Sequence, residues 1–408
     1  MSEDLISIVS DKMGTSSSTS IYDALYPTGF FNVDYLNGYK INGYHKDGTK
    51  FSYDAFGIVD GSFNLVVGRT GSGKTTAAIQ WGANIIRRFE KARMFIASIE
   101  GGITINRLEA LTGWFGDELF KRVSIRNSGL NVESIYKEIL SIYDAKMANK
   151  EEYLYDTGHV DSRGLPIIKM VPTVYVIDSV ANMVPERVAN RGEMGGQMDA
   201  TAIAKANTQF IKLTMQLLKT ANIIVLAINH INKRVETGFM PTKNDIPYLK
   251  QDETLPGGKA INYDANNIFK LDDKKIKEES FGFNGKEIVV QMIKSRTNKA
   301  NMTTPLLLNF DIGFDPYFSL LLLLKDTGRV KAKGAYMQLD EHADMKFTNK
   351  KFTEILFSNK DFQKVFFEAA KEECRKLLTP TKTLTESVDN TLSNDVMALF
   401  RAMDQVEE

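Results

Sequence analysis

The sequence predicts an α/β fold in which a mainly parallel sheet is flanked by helices, and two observations carry that expectation. From Phe63 onward, short apolar segments alternate with segments long enough to form helices. Such alternation builds a parallel sheet covered on both faces. The first apolar segment also runs straight into a glycine-rich turn and then a helical pattern.

In chain order, residues 1–25 open with a short amphipathic stretch, Leu5–Val9, and a Gly/Ser/Thr run, Gly14–Ser20, that reads as a flexible linker. Pro27-Thr28-Gly29-Phe30 and Asp34-Tyr35-Leu36 follow, then a Gly- and Tyr-rich stretch to about Phe56. The expected strands are Phe63–Val67, Met94–Ser98, Val174–Ile177, Ile223–Ile228, Ile268–Leu271 and Ile288–Ile293. Helices are expected over Thr75–Glu90 and Val132–Met147. The last two strands lie close together around the charged turn Asp272–Ser280, so they should form an antiparallel extension at one edge. The core is placed at 26–314, a smaller mixed C-terminal region at 315–380, and an acidic tail at 381–408. That tail carries six acids and two bases and reads as weakly ordered.

Composition narrows the function classes. Fifty-one basic residues balance fifty-one acidic ones, so no global positive field points to nucleic acid and any such contact must come from local placement of charge. The single cysteine, Cys374, excludes a disulfide scaffold within one chain and fits a reducing cytoplasm. Four scattered histidines and that one cysteine do not make a zinc site. The longest leucine run, Leu320–Leu324, is far too short to span a bilayer, so no membrane role is expected.

The chemistry-bearing pattern is Gly68-Arg69-Thr70-Gly71-Ser72-Gly73-Lys74-Thr75-Thr76 directly after the strand Phe63–Val67. This matches the phosphate-binding loop in full and in the strand–loop–helix context it needs. Backbone N–H groups of the loop would face the β- and γ-phosphates of ATP, Lys74 would add a mobile charge, and the Thr75 hydroxyl would coordinate Mg²⁺. Asp178 ends an apolar strand and would sit near Thr75 to hold Mg²⁺ through water. By itself an apolar strand ending in Asp is common and would suit a helix cap. Glu100 follows another strand and can polarise an attacking water, although a solvated loop acid would look the same. His230 ends the strand Ile223–Ile228 and could hydrogen-bond the γ-phosphate; a lone His at a strand end is more often structural.

Taken together and in this order, these parts resemble the RecA recombinase family, and most closely the bacteriophage recombinases of the UvsX type. Ile177-Asp178-Ser179-Val180-Ala181 with Pro185, Glu100-Gly101-Gly102-Ile103-Thr104, Ala227-Ile228-Asn229-His230, Lys294-Ser295-Arg296-Thr297 and Gly313-Phe314-Asp315-Pro316-Tyr317 with Ser319-Leu320-Leu321 carry the likeness. It extends over roughly residues 27–375. The resemblance implies a RecA-like ATPase core with a small N-terminal oligomerisation segment, residues 1–25, that docks on the next subunit. It also implies a DNA-dependent ATPase that forms helical filaments on single-stranded DNA and pairs it with double-stranded DNA. A single-strand-binding protein and a loading mediator would be its partners, in the cytoplasm of a host cell.

By family position the DNA loops are 191–199, with Arg191, Met194 and Met198, and 231–258, with Lys233 and Arg234 on phosphates and Val235 able to wedge between bases. The second loop has zero net charge, so the resemblance rather than charge carries its DNA role. Lys294 and Arg296 would reach the neighbour's γ-phosphate as an activating finger; a solvated strand end is the alternative. Relatives place a tyrosine seven residues after the glutamate to stack on adenine, and this chain has Arg107 there. A guanidinium can also stack on a base, with a different selectivity. Residues 40–56 and 148–172 look like insertions on the surface.

Two other readings compete. A hexameric replicative helicase shares the motor fold and the Pro-Thr-Gly-Phe lead-in, but this chain's long C-terminal region resembles the recombinases. A RecA-like paralogue that binds DNA or mediates loading with little hydrolysis is opposed by the intact Lys74, Glu100 and Asp178.

Overall fold

The computed structural model describes residues 20, 23–45, 47–190, 197–233, 248–250, 253–256, 259–274, 283–334, 336–340 and 342–378. Its centre is a nine-stranded sheet built from β1 (Phe63–Gly68), β2 (Arg93–Ser98), β3 (Val123–Arg126), β4 (Thr173–Asp178), β5 (Ile223–His230), β6 (Asn267–Asp273), β7 (Gly285–Lys294), β8 (Met302–Asn309) and β9 (Gly313–Asp315). The strand order is β9-β8-β7-β6-β1-β5-β4-β2-β3. Neighbours from β6 across to β3 are parallel, whereas β6–β7, β7–β8 and β8–β9 are antiparallel. All six expected strands are present, and the expected antiparallel edge begins at β6–β7.

The central strands are largely apolar because both faces are covered. Every residue of β1 and β4 is buried, so these strands read as near-continuous hydrophobic runs rather than as an alternation, with Asn64 a buried polar exception in β1. Even-numbered Val66, Leu226, Ile228, Val174 and Val176 pack on one side against α1 (Lys74–Arg87). Their neighbours Leu65, Val67, Val225, Ala227, Tyr175 and Ile177 pack on the other, against α4 (Val132–Ala148) and α5 (Gln197–Ala221). Between these, α2 (Ile105–Thr112) and α3 (Gly116–Arg122) connect β2 to β3, and the short α6 (Lys259–Asp264) precedes β6. The Asn131 side chain caps α4 by accepting from the Ser134 N–H at 2.7 Å, and Ser134 reciprocates toward Asn131 N. That cap starts the helix where the periodicity placed it.

The segment before the sheet is fastened to it. Asp34 is buried and accepts from the Thr28 N–H and Oγ1, both at 2.7 Å. Burial pushes its carboxyl up to about 7 despite those bonds. Asn84 of α1 donates to Thr28 O, and Asn32 donates to Pro305 O and Thr304 Oγ1 in β8. Leu25–Tyr26 pairs with Ile58–Val59.

The two apparent insertions are both hairpins, Tyr39–Tyr44 with Lys50–Ala55 and Leu154–Val160 with Pro166–Met170, and they meet. Tyr53 donates to Val160 O at 2.8 Å and stacks on His159 with centroids 4.7 Å apart. At the C-terminal end, α7 (Pro316–Asp326) carries the leucine run, with Leu320–Leu324 all buried. It is held between β8 and a second core of Phe347, Phe352, Phe362 and Phe366. That core also involves α8 (Asn349–Ser358) and α9 (Lys360–Arg375). No helix among the described residues is long and apolar enough to cross a membrane.

Candidate functional site

The loop 68–73 joins β1 to α1 at the carboxyl end of the parallel strands. Two of its glycines meet different demands. Gly73 has φ +83° and a Cβ there would meet the Phe314 ring at 2.8 Å, so both backbone and space require glycine. Gly71, with φ +82°, has open space around it and needs only the left-handed backbone. Lys74 is 4% exposed and donates to Arg69 O at 2.8 Å; the Ser72 N–H reaches the same carbonyl at 3.2 Å. Burial pulls the Lys74 ammonium down to about 8, against the pull of Asp178 and Glu100. Ser72 Oγ is buried and finds no hydrogen-bond partner among the described residues.

Strand register explains how distant residues converge here. β5 and β4 run parallel to β1 with His230 opposite Gly68, and Asp178 opposite Ser98 one strand further along. Thr75 Oγ1 donates to Asp178 Oδ2 at 2.9 Å. Burial pushes the Asp178 carboxyl up and the Thr75 bond opposes it. The Ile99 N–H bonds Asp178 O at 2.7 Å and holds the turn that carries Glu100. Glu100 Oε1 then gathers three partners: Ser179 Oγ at 2.5 Å, His230 Nε2 at 2.9 Å and Asn182 Nδ2 at 3.2 Å. Glu100 and His230 thus form a pair beside the loop. Arg107, on α2, lies with Nη2 3.5 Å from Thr76 Oγ1.

The expected second loop is tied to the glycine-rich loop at its root. The Ile231 N–H bonds Gly68 O, and Asn229 Nδ2 bonds Pro256 O. Asn232–Lys233 pairs with Glu253–Thr254, and the buried Glu253 takes Arg69 Nη2 at 2.9 Å. Burial opposes its ionisation, yet the Lys250 amide and the Arg69 guanidinium hold that carboxyl below the usual range. Lys233 is exposed. Arg191, Met194, Arg234 and Val235 lie outside the described residues, and so does the Met198 side chain.

Lys294 and Arg296 do not join the cluster. Lys294 Nζ donates to Tyr263 O at 2.5 Å, and Arg296 Nη2 approaches Asp264 O at 3.4 Å, both at the end of α6. Burial, with Arg296 beside it, lowers the Lys294 ammonium. Lys294 sits opposite Ile268, which is opposite Leu65. It therefore lies about 10 Å back along the strand direction from Gly68.

Sequence reasoning missed three contributors. Ser179 lies in the motif that follows Asp178 and Asn182 just beyond it, neither with an expected role, and both donate to Glu100. Lys286 of β7 donates to Gly71 O at 2.7 Å and pairs with Asp273 at 3.0 Å. A lysine on a strand carries no signal of what it faces across the sheet.

The fold and site therefore define a mixed α/β protein with a glycine-rich loop, a lysine, a Thr–Asp pair and a Glu–His pair at the carboxyl ends of parallel strands. Over 157 residues the chain is 27% identical to a protein of Enterobacteria phage T4 described as a recombination and repair protein. The aligned stretch is 38% of this chain and 37% of that relative, so it spans little more than a third of the relative's length. No family model matches the chain.

Proposed function

We propose that this protein acts in DNA recombination and repair as a RecA-type, DNA-dependent ATPase that assembles into filaments on single-stranded DNA. The observation that carries the ATPase reading is the Thr75–Asp178 bond at 2.9 Å, with the Glu100–His230 pair on the adjoining strand ends. Hard oxygen donors of this kind suit Mg²⁺, which keeps most of its waters and takes few protein ligands. Ser72 Oγ, buried and without a hydrogen-bond partner among the described residues, and the buried Lys74 ammonium fit a phosphate chain seated in the loop. Thr75 and Asp178 would hold Mg²⁺, which when bound would supply positive charge against the phosphates.

In this reading the loop amides and Lys74 bind the phosphates, while Thr75 and Asp178 hold the metal. Glu100 takes a proton from the attacking water, whose oxygen bonds the γ-phosphorus as the bond to ADP breaks. Ser179, Asn182 and His230 fix the carboxylate for that task, because a base must lie within hydrogen-bond reach of its proton. His230 adjoins both the γ-phosphate position and Ile231, the first residue of the second loop. Movement of the Glu100–His230 pair would report nucleotide state to the DNA loop. Lys294 and Arg296 lie too far back from their own phosphate loop to serve it, which suits a role in a neighbouring subunit's site. Similarity to the recombination and repair protein of phage T4 supports the recombination and repair role.

Electron microscopy with single-stranded DNA and a slowly hydrolysed ATP analogue, alongside a phosphate-release assay, tests the reading. Open helical filaments and DNA-stimulated hydrolysis are expected. Closed six-membered rings would transfer the protein to the helicase class, and filaments without hydrolysis to the non-catalytic one.

A further inference from the structure

We infer that Lys286 is a positioning residue of the phosphate loop, a second lysine that sets one of its amides from the opposite side to Lys74. The inference rests on the ATPase reading and deepens it. Lys286 comes from β7, whereas Glu100 follows β2, five places away in the sheet order β7-β6-β1-β5-β4-β2. Its Nζ donates to Gly71 O at 2.7 Å and pairs with Asp273 Oδ2 at 3.0 Å.

Peptide planarity links the two sides of the loop. The carbonyl of Gly71 and the N–H of Ser72 belong to one trans peptide and point in opposite directions. Lys286 holds the carbonyl on the outer side. The Ser72 N–H is thereby turned inward, where it meets Arg69 O at 3.2 Å, the carbonyl that also takes Lys74. That inner position is where a phosphate oxygen would replace Arg69 O as the acceptor. Gly71 needs such a hold: its left-handed φ of +82° has no neighbouring atom within 4 Å of a Cβ position to fix it sterically. Lys286 also brings a positive charge onto the backbone of the loop itself. Asp273 works against that charge.

Lys286 therefore acts on nucleotide binding and not on the hydrolytic step, whose base lies on the other side of β1. Lys286→Met removes both donor and charge and should raise KM for Mg·ATP about tenfold, the scale of one charged hydrogen bond, with kcat within about twofold of wild type. Lys286→Arg should restore most of the affinity and Lys286→Gln part of it. Asp273→Asn, which removes the opposing charge, should lower KM. A merely structural ion pair would instead give Lys286→Met and Asp273→Asn the same sign, together with matched losses in thermal stability. Lys274→Ala, which breaks a nearby pair with Glu287, serves as the control for such a loss and should leave KM unchanged. If wild type hydrolyses ATP while Lys286→Met keeps its KM, the inference falls and the ATPase reading stands. If Lys286→Met fails to fold, Asp273→Asn decides: an unchanged or raised KM overturns the inference. Absence of both ATP binding and hydrolysis in wild type overturns the two together.

Discussion

The burial of Lys74 leads to a quantitative expectation about protons. In the nucleotide-free protein its ammonium titrates at about 8, because burial penalises the charge. Phosphate oxygens would supply the missing counter-charge, so the bound state holds Lys74 protonated well above that value. The sign follows: where the free protein has lost the proton, binding must take one up. At pH 7 about nine-tenths of the free protein is already protonated and uptake is about 0.1 proton. At pH 9 the proportions reverse, and each ATP bound draws in about 0.9 proton. The same linkage weakens binding by about 1.4 kcal/mol at pH 9, a tenfold loss relative to neutral pH. The γ-phosphate itself is fully ionised at pH 9 and contributes nothing there. Titration calorimetry in two buffers of different ionisation enthalpy measures the uptake directly. Lys74→Arg is the control, since a guanidinium does not titrate in this range, and its uptake should vanish. Uptake below about 0.2 proton at pH 9 in wild type, or unchanged uptake in Lys74→Arg, would refute the coupling of this lysine to phosphate.

Three further outcomes are expected. Glu100→Gln should keep ATP binding and lower turnover by about 10² or more, the contribution of a positioned base; stopped-flow phosphate release measures it, and a loss below threefold would place the base elsewhere. Gly73→Ala should destabilise the loop by about 1–3 kcal/mol, because φ +83° and the Phe314 contact at 2.8 Å both oppose a Cβ; urea unfolding and ATP binding should fall together. A double Ala variant at Lys294 and Arg296 should bind ATP as a monomer yet lose DNA-stimulated turnover. Mixing it with Glu100→Gln should restore part of that turnover if the cations serve a neighbour's site, and no recovery in confirmed mixed filaments would confine them to their own subunit.

How much of this was legible depends on what the residues face. The parallel strands were readable because burial on both faces leaves near-continuous apolar runs such as Val174–Ile177 and, with Asn64 as its one polar residue, Phe63–Val67. β3 escaped notice: at four residues, Val123–Arg126, with Ser124 exposed on the sheet edge, it lacks that signature. β8 was obscured by Pro305, which argues against a strand interior. Pro305 nevertheless lies opposite Val289, and its carbonyl serves Asn32. In the site, the loop and its Thr–Asp partner were readable because their spacing is fixed by local backbone and by strand ends. The Glu100–His230 contact was not legible, since it depends on the ends of β2 and β5 meeting across the end of β4, which lies between them. The hold of Lys286 on Gly71, and of Glu253 on Arg69, joins residues 215 and 184 positions apart with no pattern to announce them.

The pairing of Asn232–Lys233 with Glu253–Thr254 has a consequence for how this chain can be remodelled. It brings the two ends of the stretch 234–252 to neighbouring points, and the Ile231–Gly68 and Glu253–Arg69 contacts clamp those ends to the phosphate loop. Lengthening a stretch whose ends are already closed costs only about 0.6 kcal/mol for each doubling. The clamp thus makes the stretch a candidate cassette: changing its length or composition is expected to leave the geometry of residues 68–76 in place, because the contacts that fix the flanking residues are outside it.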